Sequence, residues 1–347
     1  MNKEIYDVTI IGGGPAGLFS AFYSGLRNMK TKILEYQRTL GGKIHVYPQK
    51  MIWDIGGLKP ATGKEVMDNM IFQALTFNPT VICNEKAEKI DKNGDLFEVV
   101  GSSGETHYSK TIIIAVGSGI LQPHELEIKG LETENIHNLF YTVPSLEQFM
   151  NKTILISGGG NAAIDWANEL EPIAEKIYLV YRNKDLKGHE AQVEKLLSSS
   201  VECIFESQIE NLHVENNYIK EVLLKNSAKE SLTKLNVDAL IVNHGYIRDR
   251  SLFDQNKLNF DLDEYGAVNG SNLSETSVPG IYAAGDIITH SGKLHLIAGA
   301  FQDAALAVNQ AKKFIDPNAK EKAMVSSHNE RLFEKNKDLL KEKKILG

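Results

Sequence analysis

The chain has 347 residues, of which 42% are hydrophobic and 24% are charged. These values are typical of a soluble globular protein with room for two domains. The formal net charge of −7 argues against nucleic acid as a partner. No apolar run reaches the roughly 18 residues that a membrane helix needs, and the N-terminus shows no signal-peptide pattern. We therefore expect no membrane span and a cytoplasmic location.

The first predicted elements form a βαβ unit. A strand over Tyr6–Ile11 leads through a glycine turn into a helix over Ala16–Asn28, and a second strand follows over Thr31–Leu34. The turn matches G-x-G-x-x-G, whose glycines permit a tight turn, close approach to a pyrophosphate and close packing of helix on strand. The three key glycines are Gly12, Gly14 and Gly17.

Glu35 stands at the end of the second strand, about 20 residues beyond the middle glycine, where the fingerprint places an acidic residue. A carboxylate there accepts hydrogen bonds from both ribose hydroxyls of an adenosine and repels a 2′-phosphate. The first site therefore suits FAD or NAD rather than NADP.

Two short motifs follow this unit. Gly41-Gly42-Lys43 can bring backbone close to a cofactor, and Lys43 can reach flavin or phosphate oxygens. Tyr47, just before Pro48, can stack on an isoalloxazine ring. A plain turn and an ordinary core tyrosine are the alternative interpretations.

The middle of the chain contains a second βαβ unit. Probable hairpin strands over Leu96–Val100 and Thr106–Tyr108, and a buried strand over Thr111–Val116, separate it from the first. The second unit is predicted to contain a strand over Thr153–Ser157, a helix over Ala162–Leu170 and a strand over Lys176–Tyr181. Its turn carries Gly158 and Gly160, followed at the helix start by Asn161, Ala162 and Ala163, the last at the third fingerprint position.

The second unit ends without a carboxylate. Arg182 takes the position that Glu35 has in the first unit, and Lys184 follows it. A guanidinium fork can bind a 2′-phosphate through two hydrogen bonds. We therefore predict NADPH at the second site, with a surface cation as the alternative interpretation of Arg182.

Further elements follow in the C-terminal half. A helix is predicted over Glu190–Ser198, with strands near Val201–Phe205, Ile219–Leu224 and Ala239–Asn243. A strand over Ser277–Ala284 then leads into Gly285-Asp286. Asp286 can bond a ribityl hydroxyl, so this motif is a second signal for FAD. A long helix over Leu296–Ile315 and a charged tail complete the chain, and a solvated terminal helix is the simplest interpretation of that tail.

In this order the motifs resemble the ferredoxin–NADP reductases of the thioredoxin-reductase-like type. The resemblance spans essentially the whole chain, and its more specific features are the Tyr47-Pro48 loop and the tail Val325-Ser326-Ser327-His328. It implies that Tyr47 and His328 cover the two flavin faces at the site of hydride and electron transfer. It also implies FAD contacts from Ser327, Ala87 and Leu121, and a homodimer. The tail departs from a His-Ser-Thr-Ser form, and Leu121 stands where an aromatic often occurs.

These observations predict an α/β protein with two Rossmann-like βαβ dinucleotide-binding domains, the NADPH domain inserted in the FAD domain. We expect the FAD-binding domain at residues 1–119 and 248–347 and the NADPH-binding domain at residues 120–247. No metal is expected, because the histidines and cysteines lack ligand spacing.

The cysteine content indicates that the final electron acceptor is a separate molecule. A thioredoxin reductase needs a C-x-x-C pair, and this chain has only Cys83 and Cys203, far apart. We therefore expect a ferredoxin–NADP⁺ reductase that carries electrons from NADPH through the flavin to ferredoxin or flavodoxin. An NADPH-dependent flavin or quinone reductase with the same sites is the main alternative. A monooxygenase or a flavin-binding sensor is a more distant one.

Overall fold

A computed structural model describes residues 3–119, 122–247, 249, 251–254 and 257–342. Its residues fall into two compact units. The first unit comprises Met1–His45, Lys50–Leu121 and Arg248–Gly347, and the second comprises Val46–Gln49 and Gln122–Ile247. None of the helices formed by the described residues is long and apolar enough to cross a membrane.

The elements are named in chain order. The first unit begins with β1 (Ile5–Ile11), α1 (Pro15–Leu26), β2 (Thr31–Leu34), β3 (Met51–Ile52), β4 (Ala61–Thr62), α2 (Gly63–Ala74), β5 (Thr80–Ile82), β6 (Ala87–Asn93), β7 (Leu96–Gly101) and β8 (Thr106–Ile114). The second unit contains β9 (Gln122–Pro123), β10 (Leu139–Phe140), β11 (Thr153–Ser157), α3 (Asn161–Leu170), β12 (Lys176–Val180), α4 (Glu190–Leu197), β13 (Glu202–Ile204), β14 (Ser207–Glu215), β15 (Tyr218–Asn226), β16 (Leu232–Asn236), β17 (Ala239–Val242) and β18 (Tyr246–Ile247). The chain then returns to the first unit with α5 (Ser251–Asp254), β19 (Val268–Asn269), β20 (Ile281–Ala283), β21 (Ile288–Thr289), α6 (Ile297–Ile315) and α7 (Phe333–Glu342).

The main sheet of the first unit has the order β5-β2-β1-β8-β7-β6, and β20 also pairs with β8. Strands β5, β2, β1, β8 and β20 run parallel, whereas β7 and β6 are antiparallel neighbours. Parallel strands covered on both faces are apolar along their length, and Ile112, Ile113 and Ile114 of β8 are fully buried. The carboxyl ends of the parallel strands therefore share one edge of the sheet.

Strand β8 differs from the prediction. The sequence suggested a hairpin strand over Thr106–Tyr108 and a separate buried strand over Thr111–Val116, but they form one strand. The polar residues between them do not interrupt it because their hydroxyls bond backbone carbonyls. Ser109 Oγ donates to Thr111 O at 2.6 Å, and Thr111 Oγ1 donates to Asp7 O at 2.7 Å.

The strand predicted over Ser277–Ala284 is shorter, covering Ile281–Ala283. Pro279 precedes Gly280, which has φ +90°. A proline lacks the N–H that a ladder needs, and this φ is left-handed, so the chain turns there rather than extending.

The second unit contains a parallel sheet of order β10-β17-β11-β12-β13 and an antiparallel sheet of order β14-β15-β16. Its core includes the buried side chains of Phe149, Ile154 and Trp166. Strands β14 and β16 were not predicted, because their exposed faces are polar and their apolar residues are sparse. Both units carry the predicted βαβ dinucleotide fold, which confirms the α/β fold class.

Candidate functional site

The first glycine loop lies at the carboxyl edge of the main sheet, between β1 and α1. Gly12 has φ +107°, and a Cβ there would meet Ala115 O at 2.4 Å. A Cβ on Gly17 would meet Gly12 O at 1.8 Å. Only glycine fits these two positions, so the tight turn and close helix packing that the fingerprint predicts are present. The N-terminus of α1, beside Gly14, presents backbone N–H groups suited to phosphate.

Glu35 lies at the end of β2 with 6% of its surface exposed. Its carboxylate accepts hydrogen bonds from Gly13 N at 2.5 Å and from Gln37 N at 2.7 Å. Burial raises the pKa of Glu35, and the two N–H donors oppose that rise. Each carboxylate oxygen has a further lone pair, so the arrangement suits a ribose whose hydroxyls donate to it.

The two flavin motifs meet at the same sheet edge. Ala284 N donates to Ile114 O at 2.9 Å, so the hydrogen bonding between β20 and β8 continues one residue beyond the end of β20. Gly285 follows with φ +82°, and a Cβ there would lie 2.9 Å from the Cβ of Ala16 in the first turn of α1. Half-buried Asp286 comes next. From β2 to β20 the edge spans three strand spacings, about 14 Å, which suits a cofactor extended from Glu35 to Asp286.

The other predicted FAD residues have different placements. Gly41 N donates to Gly13 O at 2.9 Å, which brings the double glycine onto the first loop, and Lys43 is exposed beside it. Buried Ala87 is the first residue of β6. It lies near Glu35 because Glu85, two residues before it, donates from its backbone N–H to Glu35 O at 2.9 Å. Two predicted residues remain. Tyr47 is half-buried in Val46–Gln49, which groups with the second unit, and Leu121 lies outside the described residues.

The C-terminal tail is fastened at the opposite end of α1. Arg331 and Asn329 donate to the carbonyl oxygens of the last two residues of α1, at 2.6 and 3.4 Å. Ser327 and His328 are exposed beside these anchors. Helix α1 has 12 residues, so about 18 Å separates its two ends. Within one chain, Ser327 and His328 therefore lie far from the first glycine loop.

The second glycine loop repeats the design inside the second unit. Gly158 has φ +150°, and a Cβ there would meet Asn243 O at 2.6 Å. Gly160 differs, because a Cβ built on it would meet nothing within 4 Å among the described residues. The backbone at Gly160 is therefore open to a ligand. Asn161 and Ala162 are exposed in the first turn of α3 that follows.

The segment after β12 folds back onto this loop. Lys187 N donates to Gly159 O at 2.7 Å, and His189 N donates to Asn161 Oδ1 at 2.9 Å. Exposed Arg182 therefore lies at the start of a loop whose far end is tied to the phosphate-binding turn. Lys184 is exposed as well, and its Nζ lies 3.6 Å from Glu206 Oε1, so a ligand phosphate would compete with that carboxylate.

Sequence reasoning missed a polar group on the other side of the second loop. His244 follows β17, and its Nε2 lies 2.8 Å from Ser157 Oγ at the end of β11. The side-chain oxygen of Asn243 is buried and has no hydrogen-bond partner among the described residues. Packing around His244, followed by the charges of Arg182 and His124, lowers the pKa of His244. The available signal was a polar pair directly after a buried strand.

A second polar group that sequence reasoning missed contacts the backbone of Gly285. Asp303 of α6 accepts from Gly285 N at 3.1 Å and pairs with the Lys293 ammonium. Asp303 stands in the middle of a helix, eighteen residues beyond Gly285 in sequence, so the sequence alone does not connect the two.

With both loops described, comparison with known proteins places the chain. Residues 6–311 match the family model described as pyridine nucleotide-disulphide oxidoreductase. The chain belongs to this family. Membership implies a flavin and a pyridine nucleotide as cofactors, in agreement with two dinucleotide folds.

Two relatives within the pyridine nucleotide-disulphide oxidoreductases are similar over nearly the full length. Ferredoxin–NADP reductase 1 of Bacillus thuringiensis (strain Al Hakam) is 56% identical over 99% of both chains. The protein of the same name from Oceanobacillus iheyensis is 58% identical over 97% of both chains. These relatives confirm the predicted resemblance to ferredoxin–NADP reductases.

Solved structures of thioredoxin reductases share the fold. Thioredoxin reductase of Lactococcus lactis (FR conformation) has a TM-score of 0.73 at 26% identity, covering 89% of this chain and 99% of that one. T. acidophilum thioredoxin reductase has a TM-score of 0.74 at 22% identity, covering 91% and 100%. The two cysteines of this chain, Cys83 and Cys203, are free, half-buried and far apart in sequence, so the chain lacks the dithiol on which a thioredoxin reductase depends.

Proposed function

We propose that the chain is an FAD-dependent ferredoxin–NADP⁺ reductase that takes electrons from NADPH and delivers them to ferredoxin or flavodoxin. One observation carries the assignment of the two cofactors. The two βαβ units have similar glycine loops. The second strand of the first unit is followed by a buried carboxylate, Glu35, whereas the second strand of the other unit is followed by an exposed guanidinium, Arg182.

The first unit is assigned to FAD, and its domain to residues 1–119 and 248–347. Glu35 accepts the adenosine ribose hydroxyls, the first turn of α1 donates to the pyrophosphate, and Asp286 accepts from the ribityl chain. Lys43 and the backbone of Ala87 complete the set, with Leu121 expected near the flavin. Bound FAD would supply the chemistry of accepting one hydride and releasing its two electrons one at a time.

The second unit, residues 120–247, is assigned to NADPH. Gly160 leaves the backbone open to the pyrophosphate, and the first turn of α3 donates N–H groups to it. Arg182 and Lys184 bind the 2′-phosphate. Arg182→Ala is expected to raise KM for NADPH far more than KM for NADH. Equal effects on the two would refute the phosphate assignment.

The electrons must leave the chain because it offers no dithiol to receive them. Burial raises the pKa of both cysteine thiols, so at neutral pH they are protonated and poor nucleophiles. The tail has a local excess of lysine, with five lysines against three acidic residues over residues 333–347, which suits an acidic electron carrier. In α7, Lys335 and Lys341 are exposed and Lys337 is half-buried. We assign the cytoplasm as the compartment, in keeping with free thiols.

The position of the tail supports the proposal of a homodimer. Ser327 and His328 are anchored at the end of α1 that lies away from the chain's own cofactor loop. We propose that in a dimer they cover the flavin held by the second copy, on the face opposite Tyr47. A monomer in solution that is fully active with ferredoxin would refute this.

Anaerobic stopped-flow mixing tests the whole assignment. NADPH should bleach the visible absorbance of the flavin much faster than NADH, and oxidised ferredoxin or flavodoxin should then restore it. Faster turnover with free quinones than with either protein would instead favour the flavin or quinone reductase alternative. Protein that cannot be loaded with FAD would end the assignment.

A further inference from the structure

A buried ion pair stands behind the Gly285–Asp286 turn, outside both glycine loops. The Asp303 carboxylate is 4% exposed as a residue and accepts from the Lys293 ammonium. The Lys293 side chain is likewise 4% exposed. His290 Nε2 lies 3.3 Å from the second carboxylate oxygen of Asp303. A lysine and an aspartate are rarely buried to this degree unless each neutralises the other.

The pair is fastened to the end of β20 as well as to α6. Asp303 Oδ2 accepts from Gly285 N at 3.1 Å, and Asp303 O accepts from Ser274 Oγ at 2.9 Å. Ser274 O in turn accepts from Ala283 N at 3.0 Å. One residue of α6 thus binds both the turn itself and the segment beside it. Lys293 reaches Asp303 from the loop between β21 and α6, where its N–H donates to His290 O at 3.1 Å.

The Asp303 carboxylate adds a side-chain contact to the backbone hydrogen bonds that Ala284 N and Ile288 N make on either side of Gly285. Gly285 has φ +82° and abuts Ala16, so a small rotation there moves Asp286 relative to the first turn of α1. The Lys293 ammonium compensates the buried charge of Asp303. Without that ammonium the carboxylate would be drawn away from Gly285 N toward water, whereas a neutral oxygen in the same place would not be.

We propose that Lys293 is a positioning residue for FAD, acting through Asp303 on the Gly285–Asp286 turn. The inference rests on the proposed FAD site in the first unit. It assigns the pair to the cofactor and not merely to the stability of α6.

The test compares Lys293→Met with the double variant Lys293→Met/Asp303→Asn. Asparagine keeps an oxygen that can accept from Gly285 N and buries no charge. Lys313→Met is the matched control, because Lys313 lies on α6 with Asp303 and pairs with Glu321 at 3.7 Å near the surface. The readouts are the Kd of FAD for the apoprotein, the midpoint potential of the bound flavin and the Tm of the apoprotein.

Lys293→Met should weaken FAD binding by about tenfold or more and shift the midpoint potential. The double variant should return both values close to those of the wild type, and Lys313→Met should change neither. A Lys293→Met protein with a lower Tm but unchanged Kd and potential would overturn the proposal, because the pair would then be purely structural.

If Lys293→Met does not fold, FAD binding by the double variant is the test of the proposal. FAD binding close to that of the wild type supports the positioning role, and a folded double variant that binds FAD poorly overturns it. Failure of the proposed function looks different, since the wild-type apoprotein itself would then take up no FAD.

Discussion

At the scale of single residues, the glycines of the two loops have two different roles. A Cβ on Gly17 or on Gly158 would collide with backbone atoms of the protein itself, whereas one on Gly160 would meet nothing. The first kind of position serves the fold. The second kind keeps space for a ligand, and that distinction can be tested.

We predict that Gly160→Ala leaves the Tm within about 2 °C of the wild type, because the added methyl group has room and φ is −94°. KM for NADPH should rise by at least about tenfold, because the methyl group occupies the place of the pyrophosphate. Steady-state kinetics and thermal unfolding measure the two effects. Gly17→Ala is the contrasting control and should lower the Tm strongly; a large loss of Tm in Gly160→Ala would contradict the ligand role.

Glu35 yields a prediction on pH. Burial raises its pKa in the free protein, and ribose hydroxyls that donate to the carboxylate favour its ionised form, so FAD binding should lower that pKa. Binding then releases a proton, and FAD affinity should fall as the pH drops through the free-protein pKa of Glu35 and level off above it. Titration of the apoprotein from about pH 5 to about pH 8 measures this. Glu35→Gln should bind FAD weakly with a flat pH profile; an equally steep profile would contradict the assignment.

At the scale of elements, helix α2 offers a local test of stability. Thr62 Oγ1 accepts from Glu65 N at 3.3 Å, and Glu65 Oε2 accepts from Thr62 N at 2.8 Å, which together form a capping box. Thr62→Ala should cost about 1 kcal/mol of stability and lower the Tm slightly, whereas Thr62→Ser should not. Differential scanning calorimetry of the three proteins measures this, and equal losses in both variants would show that the hydroxyl is not the cause.

The sequence predicts the longer parallel strands and both glycine helices because their apolar runs and glycine turns are local signals. It does not predict the parallel strands β5 and β10, which have only 3 and 2 residues. Strands β14 and β16 escaped prediction because their stability comes from pairing with β15, which is not a local property. The same holds for the site. Gly12, Glu35 and Arg182 are recognisable by spacing, whereas Asp303 reaches Gly285, and Asn329 reaches the end of α1, only through the folded chain.

At the scale of the whole molecule, charge is uneven. The chain carries a net −7, whereas residues 333–347 contain five lysines and three acidic residues. Truncation after Leu332 removes this segment and should raise KM for ferredoxin by a factor of several at low salt, with a smaller effect at high salt where screening is strong. A neutral dye acceptor serves as the control. Unchanged ferredoxin kinetics would show that the acceptor docks elsewhere.

A buried histidine near the start of β8 also makes the stability of the molecule depend on pH. His107 is 3% exposed, and Lys32 Nζ lies 3.3 Å from its Nδ1. Burial, followed by the charge of Lys32, lowers the pKa of His107, so the folded state resists its protonation. Stability is complete above the unfolded pKa of about 6.5 and declines as the pH falls from there to the folded value. His107→Gln should flatten that part of a Tm–pH curve; an unchanged slope would exclude His107 as its source.

The protonated state of the thiols affects how readily they are oxidised in a flavin-dependent reductase. A reduced flavin exposed to air produces hydrogen peroxide, which attacks thiolates far faster than thiols. Cys83 follows β5 beside Glu35, and its raised pKa reflects both burial and that neighbouring negative charge. The same carboxylate that is assigned to the adenosine therefore also helps burial to keep the Cys83 thiol protonated, so peroxide formed during turnover should oxidise Cys83 slowly.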